Sequence, residues 1–166
     1  MVRGGGTAMS LDWEARLRGE GCTLCEPRPP VTSEWDFLAR LSISSLYLAK
    51  NQTYRGQCVL VFDPRHAPRP DDLSREEWAA FSDDLRVTTV GLMRAVRPDH
   101  VNVASLGNVA PHLHWHVVPR TQGDPRWGSP IWTTDTTKMS DTRLSPRDRQ
   151  NLLELLRESV ERARRA

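Results

Sequence analysis

The stretch Asn102-Val-Ala-Ser-Leu-Gly-Asn-Val-Ala-Pro-His-Leu-His-Trp-His-Val-Val-Pro-Arg120 decides how this chain is read. It holds three of the five histidines, His112, His114 and His116, at strict two-residue spacing. Leu113, Trp115 and Val117 fill the alternate positions. Period-2 alternation is the pattern of a half-buried β-strand, whose successive side chains point to opposite faces. At roughly 3.3 Å per residue, neighbouring histidines would stand about 7 Å apart in one row. Three polar rings on one strand face are costly in an apolar layer, so the face is expected to line a cleft. A metal site and a nucleophile with helpers both fit such a row; a solvent-facing ladder is the bland alternative.

The residues upstream favour the nucleophile. Leu106-Gly107-Asn108 is a glycine-permitted turn followed by backbone N–H groups that run into the histidine strand, an arrangement that can cradle a phosphate. The segment His112-Leu-His-Trp-His-Val-Val118 resembles the His-φ-His-φ-His-φ-φ signature (φ apolar) of the histidine triad (HIT) superfamily, and within it the bacterial diadenosine tetraphosphate hydrolase-like proteins. The looser resemblance covers roughly residues 20–132.

Size and composition are those of an ordinary soluble globular protein. The 166 residues suit one domain, and 38% hydrophobic with 27% charged residues is ordinary for a globular protein. No apolar run approaches the roughly 18 residues needed to span a bilayer. The N-terminal stretch lacks the apolar segment of a signal peptide, so a cytoplasmic location is expected. A net charge of +2, without a basic stripe interleaved with aromatics, argues against nucleic acid as a partner. Residues 1–19 are expected to be a flexible tail and 20–166 one domain, with a core over 41–120, a covering loop over 121–144 and a C-terminal helix over 146–164.

Within that domain, Ser33-Glu-Trp-Asp-Phe-Leu38 suggests a short helical turn. Ile43 to Ala49 and Gln57 to Asp63 read as strands joined through Lys50–Gly56 in an antiparallel hairpin. Ser74-Arg-Glu-Glu77 has the form of a capping box and should start a helix. Trp78, Phe81, Leu85, Thr88, Leu92 and Val96 continue it as one apolar stripe, and Pro98 stops it. His100 to Ser105 and Pro111 to Pro119 are the remaining strands. Trp127 and Trp132, in the loop beyond, are read either as packed on the domain or as set against a base. Ser145-Pro146 opens the last helix, with Leu152, Leu153, Leu155, Leu156 and Val160 on its apolar face. This is an α+β layout. The resemblance implies the same, an antiparallel sheet of about five strands packed with one long central helix and a C-terminal helix.

The resemblance also implies roles. His114, the middle histidine, matches the nucleophile that attacks the α-phosphorus of a nucleoside (di)polyphosphate or phosphoramidate. His116 would hydrogen-bond a phosphate oxygen, and His112 would tune the cluster. Asn102, Gly107, Asn108, Val109 and Ala110 match phosphate-contacting positions, and Asn51 a nucleoside contact. Many HIT enzymes carry Ser or Thr where this chain has Val109, so the N–H survives but the hydroxyl does not. A homodimer is implied, and no cofactor is needed at phosphorus. Cys22 and Cys25 form a C-x-x-C pair, half of a tetrahedral zinc site. Zinc-bearing relatives complete such a site with residues matching His66 and His112; two thiols without metal remain the alternative. Cys58, in an apolar run, is expected to be a core residue. Beside the enzyme stands a second reading, a non-catalytic nucleotide- or zinc-binding module, and behind both a three-histidine metalloenzyme.

Overall fold

A computed structural model describes residues 12–25, 27–132 and 140–166. Five strands, β1 (Trp35–Arg40), β2 (Ser44–Ala49), β3 (Cys58–Phe62), β4 (His100–Ala104) and β5 (His114–Arg120), form one sheet in the order β1-β2-β3-β5-β4, and every neighbouring pair is antiparallel. Three α-helices accompany it: α1 (Trp13–Leu17), α2 (Arg75–Val96) and α3 (Pro146–Arg164). The α+β layout expected from the sequence is the one observed. No helix among the described residues is long and apolar enough to cross a membrane.

Helix α2 begins where its capping box requires. The Ser74 hydroxyl accepts from the Glu77 N–H, and the Glu77 carboxylate accepts from the Ser74 N–H. It ends at Arg97, whose φ of 49° lies in the left-handed region, immediately before Pro98. Phe81 and Leu92 from α2 join Leu152, Leu156 and Val160 from α3, and both helices pack on Leu46, Leu60, Phe62 and Val117 of the sheet. Each fully buried Leu or Phe there contributes roughly 1.5–3 kcal/mol. Leu155, expected on the apolar face of α3, is instead 41% exposed, because it lies at the edge of that face, about 100° around the helix from Leu156. The two helices meet at Gly91, where an added Cβ would lie 2.7 Å from Val160 Cγ2 and 3.0 Å from its Cα. Asp84 of α2 ties this layer to the sheet by accepting hydrogen bonds from the Ser42 and Ile43 N–H groups and the Ser44 hydroxyl.

Two parts of the sequence reading need correction. Residues 35–38, expected in a helical turn, belong to the edge strand β1. Trp35 and Phe37 pack on Tyr47 on one face, while Asp36 is buried on the other by pairing with Lys50 and Arg149. A charged residue at an inward position masked the alternation. Residues 13–17, placed in the tail, form α1, whose Ala15 is buried. Residues 1–11 of that tail lie outside the described residues.

Because β5 alternates, Trp115 and Val117 enter the helix-side core. His114, His116, Val118 and Arg120 therefore share the opposite face. Among the described residues, no helix layer lies across that face. It is flanked by Val59 and Val61 on β3, which pair with His116 and His114, and by Asn102 and Ala104 on β4, which pair with Val118 and His116.

Candidate active site

The three histidines do not form a single row. Pro111 has no N–H to give a ladder, and the His112 N–H turns back to the Ala110 carbonyl (2.8 Å), so the strand starts only at His114. His114 and His116 remain together, ring centroids 5.0 Å apart. His112 points elsewhere, its ring 5.5 Å from that of His66.

The buried His114 ring is held through Nδ1, 2.6 Å from the His112 carbonyl. A carbonyl can only accept, so Nδ1 carries the proton and Nε2 keeps its lone pair. That is the tautomer a nucleophilic imidazole needs. Burial, and then the charge His114 can carry, push the His116 pKa down to about 4. His116 is therefore neutral near pH 7 and would offer a phosphate an N–H, not a full charge.

The loop before the strand is open to ligand. Gly107 adopts a φ of 66°, the left-handed conformation that glycine tolerates best, and Val109 is 80% exposed. The N–H groups of Asn108, Val109 and Ala110 lie outside the strand ladder, and Ala110 packs against Leu24, Tyr47, Val59 and Val61, beside the paired histidines. The Val109 carbonyl accepts a 2.9 Å hydrogen bond from Arg16 of α1, a residue for which the sequence held no signal. Asn102 faces the same side, its amide oxygen fixed 2.6 Å from Arg120 Nη1.

Asn51 is committed to its own turn. Its oxygen accepts from the Thr53 and Thr142 N–H groups, and its Nδ2 donates to the Ser140 carbonyl. With Gln57 and Trp132 it lines a cavity of about 290 Å³. Trp132 also meets the His116 ring edge-on at 5.2 Å. Trp127 is 45% exposed.

On the other side of His112 the structure gathers Cys22, Cys25, His66 and His112, with one donor atom from each lying within 4.8 Å of all the others. His112 Nδ1 is 3.6 Å from Cys22 Sγ and 3.3 Å from Cys25 Sγ, and His66 Nδ1 is 3.3 Å from Cys25 Sγ. These separations are near the roughly 3.6 Å set by a tetrahedral centre with Zn–S about 2.3 Å and Zn–N about 2.0 Å. Each imidazole donates its Nε2 proton outward, His112 to the Phe62 carbonyl (2.7 Å) and His66 to the Leu17 carbonyl (3.1 Å), which leaves both Nδ1 lone pairs facing the thiols. Such outer partners fix ligand tautomers in metal sites. The four residues fit a divalent metal of the zinc type. Arg28 pins the segment across the sheet through Tyr47, the Leu24 carbonyl and Asp63. Cys58 stands apart, fully buried, its thiol pushed up to about 12 by that burial.

Comparison with known proteins agrees with this fold. Residues 45–123 match the HIT domain family. A histidine triad protein from Marinobacter aquaeolei superposes with a TM-score of 0.70 at 24% identity, covering 79% of this chain and 92% of that one. One from Bradyrhizobium japonicum gives a TM-score of 0.67 at 26% identity, covering 81% and 99%. A zinc-bound histidine triad family protein from Mycobacterium smegmatis gives 0.55 at 20% identity, covering 89% and 91%. No functionally curated protein matches the sequence. The chain thus carries a histidine triad (HIT) domain over residues 45–123, on the fold of the solved histidine triad proteins.

Proposed function

We propose that the protein is a nucleotide hydrolase or nucleotidyl transferase that works through His114. The observation carrying this reading is the His114 tautomer: Nδ1 donates to the His112 carbonyl, so in the neutral ring the lone pair is on Nε2, with His116 beside it. Nε2 attacks the α-phosphorus of a nucleoside (di)polyphosphate or phosphoramidate. The N–P bond forms as the bond to the leaving group breaks, and water then opens the nucleotidyl-imidazole and restores the histidine. Dividing one hard displacement into two easier ones is the gain of covalent catalysis. The His116 N–H and the N–H groups of 108–110 hold the non-bridging oxygens, with Asn102 beside them. The base lies toward the first hairpin, on the side of His116 where β3 pairs with β5. Diadenosine polyphosphates are the first substrates to test.

Cys22, Cys25, His66 and His112 would hold zinc, which would tie the N-terminal segment to the sheet and serve structure. Thiols kept for a metal suit the reducing cytoplasm. A homodimer would use the outer edge of β4, which pairs with no strand among the described residues. Val109, without a hydroxyl, favours a second reading: a nucleotide-binding module of this fold with no useful turnover. Rapid quench with labelled diadenosine polyphosphate decides between them. The enzyme gives an acid-labile nucleotidyl adduct on His114. Nucleotide bound at the histidines with neither adduct nor product is the outcome for the module, and an adduct on another residue overturns the assignment of the nucleophile.

A further inference from the structure

A second cavity, of about 920 Å³, lies over β4 on the histidine face, between Asn102 and Ala104 of the strand and the Trp127–Trp132 strap. That is ample for a nucleoside, since ligand pockets run to roughly 300–1,000 Å³. Its position relative to the nucleophile is fixed by the sheet order. Strand β5 stands between β3 and β4, so a phosphate chain over His114 and His116 has the first hairpin on one side and this cavity on the other. Trp132, in edge contact with His116, forms the shared wall.

The chemistry of the cavity excludes a phosphate. Its one buried cation, Arg120, is spent on the strap. Nε and Nη2 bind the two oxygens of Asp124, Nη1 binds the Asn102 amide oxygen and the Ser129 carbonyl, and Nη2 also binds the Arg126 carbonyl. Every guanidinium N–H is thus engaged. The ion pair is neutral and only 3% and 8% exposed, and it rivets the strap at a fixed height above β4. What remains open is the Trp127 indole, 45% exposed, with Trp132, Gln122 and Asn102 around the rim. An exposed indole over a rigid floor, with polar amides near it, suits a flat, uncharged, hydrogen-bonding ring.

We infer that this cavity is a second base site, which takes the nucleobase of the leaving half of a dinucleoside polyphosphate and stacks it on Trp127. The inference rests on the nucleotidyl-transfer reading for the course of the substrate, but its test does not. Wild type and Trp127→Ala are assayed with diadenosine tetraphosphate and with adenosine tetraphosphate, which lacks the second nucleoside. Wild type should favour the dinucleoside in kcat/KM by about tenfold, the scale of one base stacked on an aromatic ring. Trp127→Ala should erase that preference while leaving adenosine tetraphosphate hydrolysis and AMP affinity unchanged, and Trp127→Phe should restore most of it. A preference that survives Trp127→Ala, equal losses on both substrates, or no preference in wild type overturns the second site. If wild type hydrolyses neither compound, the transfer reading has failed, and calorimetry then tests the site alone. Weaker binding of a non-hydrolysable diadenosine tetraphosphate by Trp127→Ala, with AMP unchanged, sustains it; equal dissociation constants remove it.

Discussion

His112 and His114 are the same residue type, two positions apart, and they are held by opposite ring nitrogens. His112 donates from Nε2 to the Phe62 carbonyl and turns its Nδ1 lone pair toward two thiols. His114 donates from Nδ1 to the His112 carbonyl, so in the neutral ring its lone pair is on Nε2, beside His116. One backbone carbonyl at each ring selects the tautomer, and in the proposed function the tautomer selects the chemistry: a metal ligand at His112, a nucleophile at His114. The lesson is that a histidine's role is read from the atom it gives away.

The widest gap between the two should appear on removing each ring's function. His114→Asn should lower turnover of a diadenosine polyphosphate by several orders of magnitude, each factor of ten being about 1.4 kcal/mol of transition-state stabilisation. Nucleotide affinity should stay within a few-fold, since the 108–110 amides and His116 remain. Robust hydrolysis by this variant would dissolve the distinction between the histidines. On the other side, Cys22→Ser should strip metal from protein purified without chelator. It should also lower the melting temperature by several degrees or more, because metal-binding free energy in such clusters is largely folding free energy. Unchanged metal content and melting temperature would leave the corner with no metal role.

How much of this was readable in advance follows the same division. The strand alternation, the capping box and the two amphipathic helices are local patterns, and they placed α2, α3, β2, β3 and β4 within a few residues. The ligand set Cys22, Cys25, His66 and His112 came from family resemblance, and the structure brings it together. The tautomers of His112 and His66 were not legible, because their carbonyl partners, Phe62 and Leu17, lie 50 and 49 residues from the rings they fix. Edge strand β1 was missed because Asp36 faces inward, a choice that makes sense only once Lys50 and Arg149 arrive from elsewhere. The Trp35-x-Phe37-x-Ala39 alternation was the signal available. Nothing in sequence marked Arg120 as a rivet, since its partners come from both β4 and the strap.

A smaller effect concerns pH. Burial holds His116 at about 4 in the folded protein, against about 6.5 for a free imidazole. Between those values the unfolded chain binds the proton and the folded one does not, so stability rises with pH across the window. The stabilisation is complete above about 6.5 and is lost as pH falls toward 4, on the order of 2–3 kcal/mol in all. His112, lowered chiefly by burial, acts in the same direction. Denaturant melts between pH 7 and 4.5 should therefore show a shallower pH slope for His116→Asn than for wild type. Parallel slopes would mean that His116 takes up its proton as readily in the fold as in the unfolded chain, so that burial does not lower its pKa.

The smallest expected effect tests whether the two corners are independent. Helix α1 touches both: the Leu17 carbonyl orients His66 in the metal corner, and Arg16 donates to the Val109 carbonyl in the phosphate loop. The second contact is solvent-exposed, so its net worth is about 0.5–1.5 kcal/mol. Arg16→Ala should loosen the loop without touching His114, raising KM by a few-fold while kcat changes by less than about twofold. It should leave metal content unchanged, because Leu17 contributes only its backbone to that corner. Stripping the metal from wild type should then reproduce the KM change of Arg16→Ala, since α1 would lose its anchor at His66, and the two perturbations together should add little to either alone. Additive effects would show instead that the loop and the ligand corner are separate devices that happen to share a five-residue helix.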